Sequence, residues 1–332
     1  MTMRRYCMLA ALLALLAPAG GASADFTFAH VTDIHITGDT ALYPKLGLRD
    51  QNWVNAGAWK NWNANRKAIT DAVNRANPDF VIVTGDLSEA GANIEFANVA
   101  AWAQSVKAPV YLIPGNHDTA HAARPATAEP WKAEVGNRGL LNYERIFGRG
   151  FYAFGRQNAY FINLTSYTGD KEVKGDAYQL RRHGEQQQWL ERELRYANTA
   201  GYPFVFVFRH HPYGTQPWVD KALSEAGVSG YMFGHIHRYT APVHNGVQWI
   251  SGTSVKGPRD NPVNAPSFGL VRVGAEQATY QLLDTDGKPL AAPVTMQARE
   301  TSRDGLWATR ARLFPNPPPA TCETLLSAAV PD

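Results

Sequence analysis

Five clusters of histidine, aspartate and asparagine residues interrupt the chain, and each follows an apolar run. In chain order they are Asp33-Ile34-His35, Gly85-Asp86, Gly115-Asn116-His117-Asp118, His210-His211-Pro212 and Gly234-His235-Ile236-His237. Carboxylates, imidazoles and an amide suit borderline divalent metals such as Mn, Fe, Co or Zn better than a sulfur-bound structural zinc. The plausible ligands are too many for one tetrahedral ion, so two ions are the simpler number. Two ions about 3.5–4 Å apart can hold the attacking and leaving oxygens of a displacement at phosphorus.

Each cluster alone also has an ordinary structural explanation. The segment Gly115–Asp118 could be a tight turn capped by its polar side chains, and His210-His211 could be polar residues at a strand end. The joint occurrence of five such clusters in one chain favours a metal site.

Seven apolar runs, five of which precede the clusters, predict strands. Short β-branched or aromatic runs that end at Gly, Pro or Asp are typical of strands buried on both faces. The runs cover Phe26–Thr32, Phe80–Thr84, Val110–Ile113, Tyr160–Leu164, Phe204–Phe208, Tyr231–Phe233 and Val247–Ile250. Ligands bind at the carboxyl ends of strands in open α/β sheets, so all five clusters can meet in one crevice.

Helical spacing of apolar residues between these runs predicts helices over Asn65–Ala76, Ile94–Ser105 and Glu185–Asn198. The alternation of strands and helices predicts an α/β fold. Residues 39–62 and 119–142 are predicted to be irregular and to form the rims of the cleft. The first of these segments is rich in Tyr and Trp, which could stack against a substrate or pack beneath their own loop.

The first 24 residues have the order of a cleaved secretory signal. Arg4 and Arg5 precede an apolar run from Tyr6 to about Ala17, and small residues lead to Ala24. The apolar run is shorter than the roughly 20 residues that span a bilayer. We therefore expect an exported protein, periplasmic or secreted, without a stable membrane span in its mature form.

The remainder predicts one domain over residues 25–288 and a Pro/Ala-rich extension over residues 289–332. Removal of Arg4 and Arg5 would lower the formal net charge from +3 to +1. A nearly neutral chain offers no electrostatic reason to expect a nucleic acid polymer as a partner. Cys322 is then the one remaining cysteine, so no disulfide forms within the mature chain. The sequence leaves the oligomeric state open.

In their order, the motifs D-x-H, G-D, G-N-H-D, H and G-H-x-H resemble the signature of the calcineurin-like metallophosphoesterase superfamily, from about Phe28 to Thr253. The resemblance implies a four-layer α/β/β/α sandwich of two mixed sheets flanked by helices. It also implies an enzyme that hydrolyses small organic phosphate mono- or diesters with two divalent metal ions (Mn, Fe, Zn or Co). In such an enzyme a metal-bound hydroxide attacks phosphorus.

The resemblance further implies a role for each residue of the motifs. One metal ion would be bound by Asp33, His35 and His237. The other would be bound by Asn116, His210 and His235, with Asp86 bridging the two ions. His117 would protonate the leaving oxygen, and Asp118 would orient either that imidazole or the loop. The H-x-P pattern favours His210 over His211 as the ligand.

Differences from the motifs of two subfamilies indicate which members of the superfamily the chain resembles most. Glu89 stands where purple acid phosphatases place a tyrosine, and Leu87-Ser88-Glu89-Ala90 does not match the V-D-R-G of protein Ser/Thr phosphatases. The segment Gly85–Gly91 is more similar to bacterial cyclic-nucleotide and broad-specificity phosphodiesterases.

Two alternatives to a phosphoesterase stay open. A non-catalytic scaffold of the same fold would be expected to have lost ligands or His117, and the chain retains them all. A metallohydrolase that acts on a non-phosphate bond would be expected to carry different motifs.

Overall fold

The structure of the protein is a computed structural model that describes residues 25–38, 58–119, 139–166, 177–212, 217–257 and 265–299. The predicted signal segment, residues 39–57 and residues 300–332 lie outside the described residues. Among the described residues, no helix has both the length and the apolar character that crossing a bilayer requires.

Strands and helices alternate over most of the described chain, as the sequence predicts. The strands are β1 (Phe26–Val31), β2 (Phe80–Thr84), β3 (Val110–Ile113), β4 (Tyr152–Arg156), β5 (Ala159–Asn163), β6 (Phe204–Phe208), β7 (Gly230–Phe233), β8 (Val243–His244), β9 (Val247–Ser251), β10 (Ser267–Val273), β11 (Gln277–Asp284) and β12 (Val294–Gln297). The helices are α1 (Ala58–Ala76), α2 (Asn93–Ser105), α3 (Asn116–Thr119), α4 (Gly139–Phe147), α5 (Ala177–Thr199) and α6 (Pro217–Glu225).

Both sheets are mixed. The first has the order β12-β11-β10-β1-β2-β3, in which β1, β2 and β3 are parallel and β10 to β12 are antiparallel neighbours. The second has the order β4-β5-β6-β7-β9-β8, in which β5, β6, β7 and β9 are parallel and each edge strand is antiparallel to its neighbour. The prediction of two mixed sheets is confirmed.

Alternation along the strands separates three layers of core. In β1, Phe26 and Phe28 point between the sheets, while Ala29 and Val31 point towards helices. Phe28 stacks on Phe80 with ring centroids 5.3 Å apart, and other aromatic rings of both sheets surround this pair. Burial of many aromatic side chains between the sheets supplies a large hydrophobic stabilisation.

Helices cover the two outer faces. Apolar residues of α1 and α2 pack on the first sheet, and those of α5 and α6 pack on the second. The predicted four-layer α/β/β/α sandwich is therefore confirmed. Both outer layers brace the parallel strands whose carboxyl ends carry the polar clusters.

The helices extend into segments that the sequence predicts to be irregular. Helix α1 begins at Ala58 instead of Asn65, and α4 includes the last residues of the segment 119–142. Asparagines near the start of α1 have low helix propensity, which hides the helix in the sequence. Trp62 compensates because it is buried on the same face as Ile69 and Val73, and tertiary packing decides most helical stability.

The chain beyond residue 288 continues into the first sheet. Val294–Gln297 pairs with β11, and Met296 is buried between the sheets. This part of the predicted extension therefore belongs to the core, and the division at residues 288 and 289 otherwise stays a prediction.

Candidate metal centre

The five polar clusters follow β1, β2, β3, β6 and β7, and hydrogen bonds join the loops that carry them. The backbone N–H of Asp33 donates to the Gly85 carbonyl at 3.0 Å, and that of His35 donates to the Asp86 carbonyl at 2.9 Å. In the second sheet, the Gly234 N–H donates to the His210 carbonyl at 3.0 Å. The Leu87 N–H donates to the Asp118 carboxylate at 2.9 Å and links the loop after β3, and the His235 N–H donates to Asp33 Oδ2 at 3.0 Å and joins the two sheets. All five loops therefore meet at one edge of the sandwich.

Five residues of these loops have a left-handed backbone. The φ angles are 53° at Asp33, 38° at His35, 46° at Asp86, 67° at His235 and 52° at His237. Such angles are uncommon outside glycine and cost free energy. The tight turns that they produce aim the two polar side chains of Asp33/His35 and of His235/His237 into the same space, while the residue between them, buried Ile34 or half-buried Ile236, faces elsewhere.

Two motif glycines are required by close approach. A Cβ atom on Gly115 would clash with the backbone nitrogen and carboxylate of Asp86. One on Gly234 would clash with Thr32 and with the carboxylate of Asp33. A side chain at either position would displace the carboxylates from the centre.

The two carboxylate oxygens of Asp33 have different surroundings. Oδ2 accepts hydrogen bonds from the Thr32 hydroxyl at 2.7 Å and from the His235 N–H at 3.0 Å. Oδ1 lies 3.1 Å from His237 Nε2 and 3.9 Å from His210 Nε2. The loops thus fix one oxygen and leave the other facing the histidines.

Asp86 divides its oxygens in the same way. Oδ1 accepts a hydrogen bond from the His117 N–H at 2.9 Å. Oδ2 lies 3.0 Å from His210 Nε2 and 3.9 Å from His35 Nε2. The carboxylate of Asp86 therefore lies between histidines of both sheets.

Two of the ring nitrogens that face away from the centre lie beside an acceptor oxygen. His210 Nδ1 donates to the Thr84 carbonyl at 2.8 Å, and His35 Nδ1 lies 2.8 Å from Glu89 Oε2. An Nδ1–H that donates outwards leaves the Nε2 lone pair for a ligand. The hydrogen bond of His210 holds its imidazole in that form, and the carboxylate beside His35 Nδ1 favours the same form there.

The ligand atoms form two groups that share Asp86. Atoms of Asp33, His35, Asp86 and His237 lie within 4.8 Å of one another, and so do atoms of Asp86, His210 and His235. Together these groups contain six of the seven ligands that the family resemblance implies, all but Asn116, and a third group of His35, Glu89 and His117 lies beside them. The binding role of each residue stays a prediction.

Unpartnered buried atoms at this place fit divalent cations. Asp33 Oδ1, Asn116 Oδ1 and His210 Nε2 are buried and have no hydrogen-bond partner among the described residues. Leaving such atoms unsatisfied costs about 1–3 kcal/mol each. His210 Nε2 lies 3.9 Å from Asp33 Oδ1 and 3.0 Å from Asp86 Oδ2, separations that suit ligands about 2.1 Å from a shared ion. The donor set therefore fits the implied metals.

Charges in the centre perturb the titration of its side chains. Burial lowers the pKa of His210, but the carboxylates of Asp86 and Asp33 outweigh it and raise that pKa to about 9. Burial and the neighbouring His210 lower the pKa of His235 to about 3. Without a cation, the imidazolium of His210 balances the carboxylates, and a bound cation would replace that proton.

His117 lies beside this cluster and is oriented by a backbone group. Its Nδ1 donates to the Glu89 carbonyl at 2.7 Å, which places Nε2 3.9 Å from Asp86 Oδ2. Burial lowers the pKa of this imidazole, but the Asp86 and Glu89 carboxylates outweigh it and raise the pKa above its ordinary value. A protonated Nε2 facing the centre is suited to donate a proton there.

The carboxylate of Asp118 contacts the backbone of the neighbouring loops. Its carboxylate accepts hydrogen bonds from the N–H groups of Leu87, Ser88 and Gly115 at 2.8–2.9 Å. Of the two roles that the sequence leaves open for Asp118, these contacts favour the positioning of the loop.

The choice between the two adjacent histidines also follows from contacts. His210 faces Asp86 and Asp33, whereas the ring of His211 packs on the ring of His235 with centroids 4.4 Å apart. The Ser166 hydroxyl accepts hydrogen bonds from the N–H groups of His210 and His211 at 3.1 and 3.0 Å, which fixes the turn that carries them. The preference for His210 as the ligand agrees with this geometry.

The sequence does not predict a contribution from Glu89 and Lys256. The Glu89 carboxylate lies between His35 and Lys256 Nζ, which is 3.2 Å away, and the Lys256 ammonium lies 4.6 Å above the ring of Trp62. The position of Glu89, three residues after Asp86, is a signal of proximity to the site. No comparable signal marks Lys256. Trp62 is buried and packs in the core, so it is not an open stacking platform.

Comparison with known proteins identifies the family. Residues 26–239 match the family model described as calcineurin-like phosphoesterase. A probable glycerophosphodiester phosphodiesterase GpdQ of Arcobacter nitrofigilis is 29% identical over 142 residues, which are 42% of this chain and 43% of that protein. The 3',5'-cyclic-nucleotide phosphodiesterase alr5338 of Nostoc sp. is 26% identical over 128 residues, 39% of this chain and 41% of that protein. The matches thus span about two fifths of the curated relatives.

Solved structures share the fold. GAP50, the anchor in the inner membrane complex of Plasmodium, has a TM-score of 0.57 at 15% identity over 88% of this chain and 95% of that chain. The purple acid phosphatase PPD1 of yellow lupin has a TM-score of 0.54 at 14% identity over 84% of this chain and 55% of that chain. At these identities the similarity concerns the fold alone. Because the family model covers well over half of the sequence and includes all five motifs, the chain belongs to the calcineurin-like phosphoesterase family.

Proposed function

We propose that the protein is an exported phosphoesterase that uses two divalent metal ions to hydrolyse small organic phosphate esters. The observation that carries the proposal is the pair of ligand groups that share Asp86. All of these residues except the exposed His235 are buried, some of their oxygen and nitrogen atoms have no hydrogen-bond partner among the described residues, and they lie beside a histidine able to donate a proton. A paired site of this kind suits displacement at phosphorus.

The relatives favour diesters within this proposal. Both curated proteins are named as phosphodiesterases, one for glycerophosphodiesters and one for cyclic nucleotides. A diester of a small alcohol or nucleoside is therefore the substrate class that we test first, with monoesters as the alternative.

The chain's own residues have separate tasks in this reaction. When bound, two divalent cations would neutralise the phosphate charge and lower the pKa of a water molecule. Asp33, His35 and His237 would hold one cation, and Asn116, His210 and His235 the other, with Asp86 shared between them. The loops around Asp118 keep Asp86 in place.

His117 would act on the leaving group. Its Nδ1–H is fixed by the Glu89 carbonyl, so Nε2 is the atom that exchanges a proton. Donation from Nε2 to the departing alkoxide oxygen would avoid the release of a strong base.

Export belongs to the proposal because of residues 1–24. Their charge, apolar run and small residues have the order of a cleaved signal. Detection of the mature protein, starting at Asp25, in a periplasmic or culture fraction would support export.

A binding scaffold is the second candidate, because a protein of this fold is described as an anchor. Retention of all seven proposed ligands and of His117 favours catalysis over this alternative. Only activity decides between the two.

The deciding experiment measures hydrolysis of p-nitrophenyl phosphate and bis(p-nitrophenyl) phosphate by the mature protein. The protein is stripped of metal, then supplied with Mn²⁺, Zn²⁺, Fe²⁺ or Co²⁺, beside Asp86→Asn. The same substitution at partly exposed Asp71, which pairs with Lys67 on α1, is the matched control. We expect metal-restored turnover that Asp86→Asn abolishes and Asp71→Asn retains. Folded wild-type protein without turnover of either ester would contradict the proposal and favour the scaffold.

A further inference from the structure

The loop after β2 brings Glu89 against two histidines of the candidate centre. The Ile36 N–H donates to the Leu87 carbonyl at 2.8 Å, and the Glu89 N–H donates to the Ile36 carbonyl at 3.1 Å. The loops that carry His35 and Glu89 are thereby joined like neighbouring strands. The backbone of Glu89 has a fixed position relative to His35.

The side chain of Glu89 acts on His35. Its Oε2 lies 2.8 Å from His35 Nδ1, and the ring of His35 is fully buried. This contact directs His35 Nε2 towards Asp33 Oδ1 at 3.8 Å and towards His237 Nε2 at 3.5 Å. A carboxylate on the outer nitrogen also makes the inner nitrogen a more basic ligand.

The backbone of Glu89 acts on His117. Its carbonyl accepts the Nδ1–H of His117 at 2.7 Å. The rings of His35 and His117 are perpendicular, with centroids 4.9 Å apart. One residue therefore sets the orientation of a candidate ligand and of the candidate proton donor.

Lys256 holds the Glu89 carboxylate from the opposite side. Its Nζ lies 3.2 Å from Oε2 and 3.5 Å from Oε1, and it lies above the ring of Trp62. The preceding Ser254 and Val255 both donate to the Asp33 carbonyl at 3.3 Å. The ammonium is thus carried by a segment that is anchored to the site.

We propose that Glu89 is a positioning residue that fixes His35 through its side chain and His117 through its carbonyl, and thereby strengthens binding of the metal ion held by His35. The inference rests on the proposed function, because it assumes that His35 binds a metal ion. Lys256 keeps the carboxylate in place and balances its charge.

Metal binding tests the inference without turnover. Metal-free wild-type protein, Glu89→Gln and Glu89→Ala are titrated with Co²⁺, and the bound equivalents are followed by visible absorption and calorimetry. Glu225→Gln, at an exposed position of α6, is the matched control. Thermal unfolding of each metal-free variant reports whether it is folded.

We expect wild type to bind two equivalents. Glu89→Ala should weaken one of them by about 10–100-fold and leave the other nearly unchanged. Glu89→Gln retains an oxygen that can accept from His35 Nδ1–H, so its loss should be smaller. Lys256→Met, which keeps the apolar stem over Trp62, should lose less affinity than Glu89→Ala.

Four outcomes would overturn the inference. Two concern Glu89→Ala: the folded variant binds both Co²⁺ equivalents with wild-type affinity, or it binds both with equally weakened affinity. The third is a loss of Co²⁺ affinity in Lys256→Met that exceeds the loss in Glu89→Ala. The fourth is a third bound equivalent in wild type that disappears in Glu89→Gln. The last would mean that Glu89 is itself a ligand. Two equivalents in wild type without ester hydrolysis would contradict the proposed function alone. Wild type that binds no Co²⁺ would contradict both.

Discussion

Asp118 binds Ser88 twice: its Oδ1 accepts the Ser88 N–H at 2.8 Å and the Ser88 hydroxyl at 2.6 Å. The other oxygen accepts the N–H groups of Leu87 and Gly115. The Asp118 carboxylate, in the short helix α3 that follows β3, therefore fixes the position of the loop after β2, which contains Asp86. His117, the neighbour of Asp118 in sequence, takes no part in this network.

Asp118→Asn should act through stability and not through proton transfer. The asparagine side chain has an NH₂ group in place of one acceptor oxygen, and this donor would face buried N–H groups. We expect this mismatch to lower the free energy of unfolding by about 2–4 kcal/mol. Urea unfolding of the metal-free protein measures this loss. If Asp118 instead orients the His117 ring, the variant will be nearly as stable as wild type and will lose activity mainly with poor leaving groups.

His117→Gln should lower kcat and spare metal binding. Without a proton donor, we expect kcat to fall by about 10²–10⁴-fold for diesters of simple alcohols. The fall should be much smaller for bis(p-nitrophenyl) phosphate, because p-nitrophenolate departs without protonation. Steady-state kinetics on both esters, with metal content measured on the same samples, tests this. A similar loss on both esters would argue against proton donation by His117.

His30 should make the fold less stable in acid. Burial lowers the pKa of this imidazole to about 3, against a small opposing effect of Asp33, whereas an unfolded histidine titrates near 6.5. Between these values the unfolded chain binds a proton that the folded protein excludes, so stability is lost as pH falls from about 6.5 towards 3. The loss approaches about 1.4 kcal/mol per pH unit.

Urea unfolding at several pH values, in the presence of a chelator, measures this dependence. His30→Gln can still pair with Thr84, which His30 Nε2 contacts at 2.8 Å, but it has no proton to gain. The free energy of unfolding of the variant should fall less steeply with acid than that of wild type. Exposed His244→Gln should follow the wild-type curve. Parallel curves for wild type and His30→Gln would show that the folded protein accepts the proton at His30.

Arg299 should stabilise the end of the described chain. Its guanidinium donates to the carbonyls of Tyr202 and Ala226 at 2.6 and 2.9 Å and also bonds Asn198. Arg299→Ala should therefore lower the free energy of unfolding by about 1–3 kcal/mol. The matched control is Arg272→Ala, at an exposed position of β10.

The measurement for Arg299 is urea unfolding together with limited proteolysis of the C-terminal segment. We expect unchanged metal affinity, because these contacts lie at or just beyond the carboxyl ends of α5 and α6 and not on the loops of the site. Equal stability of the two variants would mean that the contacts of Arg299 contribute nothing to the fold.

The sequence alone determines the strands that carry the site. Continuous apolar runs such as Phe204–Phe208 can only be buried on both faces, and a polar motif at the end of five of these runs marks the edge where ligands bind. Local pattern is sufficient here because burial and strand period are properties of adjacent residues. The ordered motifs also identify the family, which the match over residues 26–239 confirms.

Local pattern fails where distant contacts supply the stability. The start of α1 is rich in asparagine and becomes helical because Trp62 packs in the core. Strand β12, in the Pro/Ala-rich end of the chain, forms because β11 offers an edge and the space between the sheets accepts Met296. The packing partners of the start of α1 and of β12 cannot be identified from the sequences of these two segments alone.

Within the site, the sequence supplies the residue types and only the tertiary structure decides what each one faces. His210 and His211 are adjacent and chemically identical, yet the turn held by Ser166 directs the first towards Asp86 and the second against His235. Glu89 and Lys256 are separated by 167 positions and meet because segments from the two sheets close over the same edge. The direction of a side chain depends on backbone angles and on neighbours distant in sequence, and a linear motif contains neither.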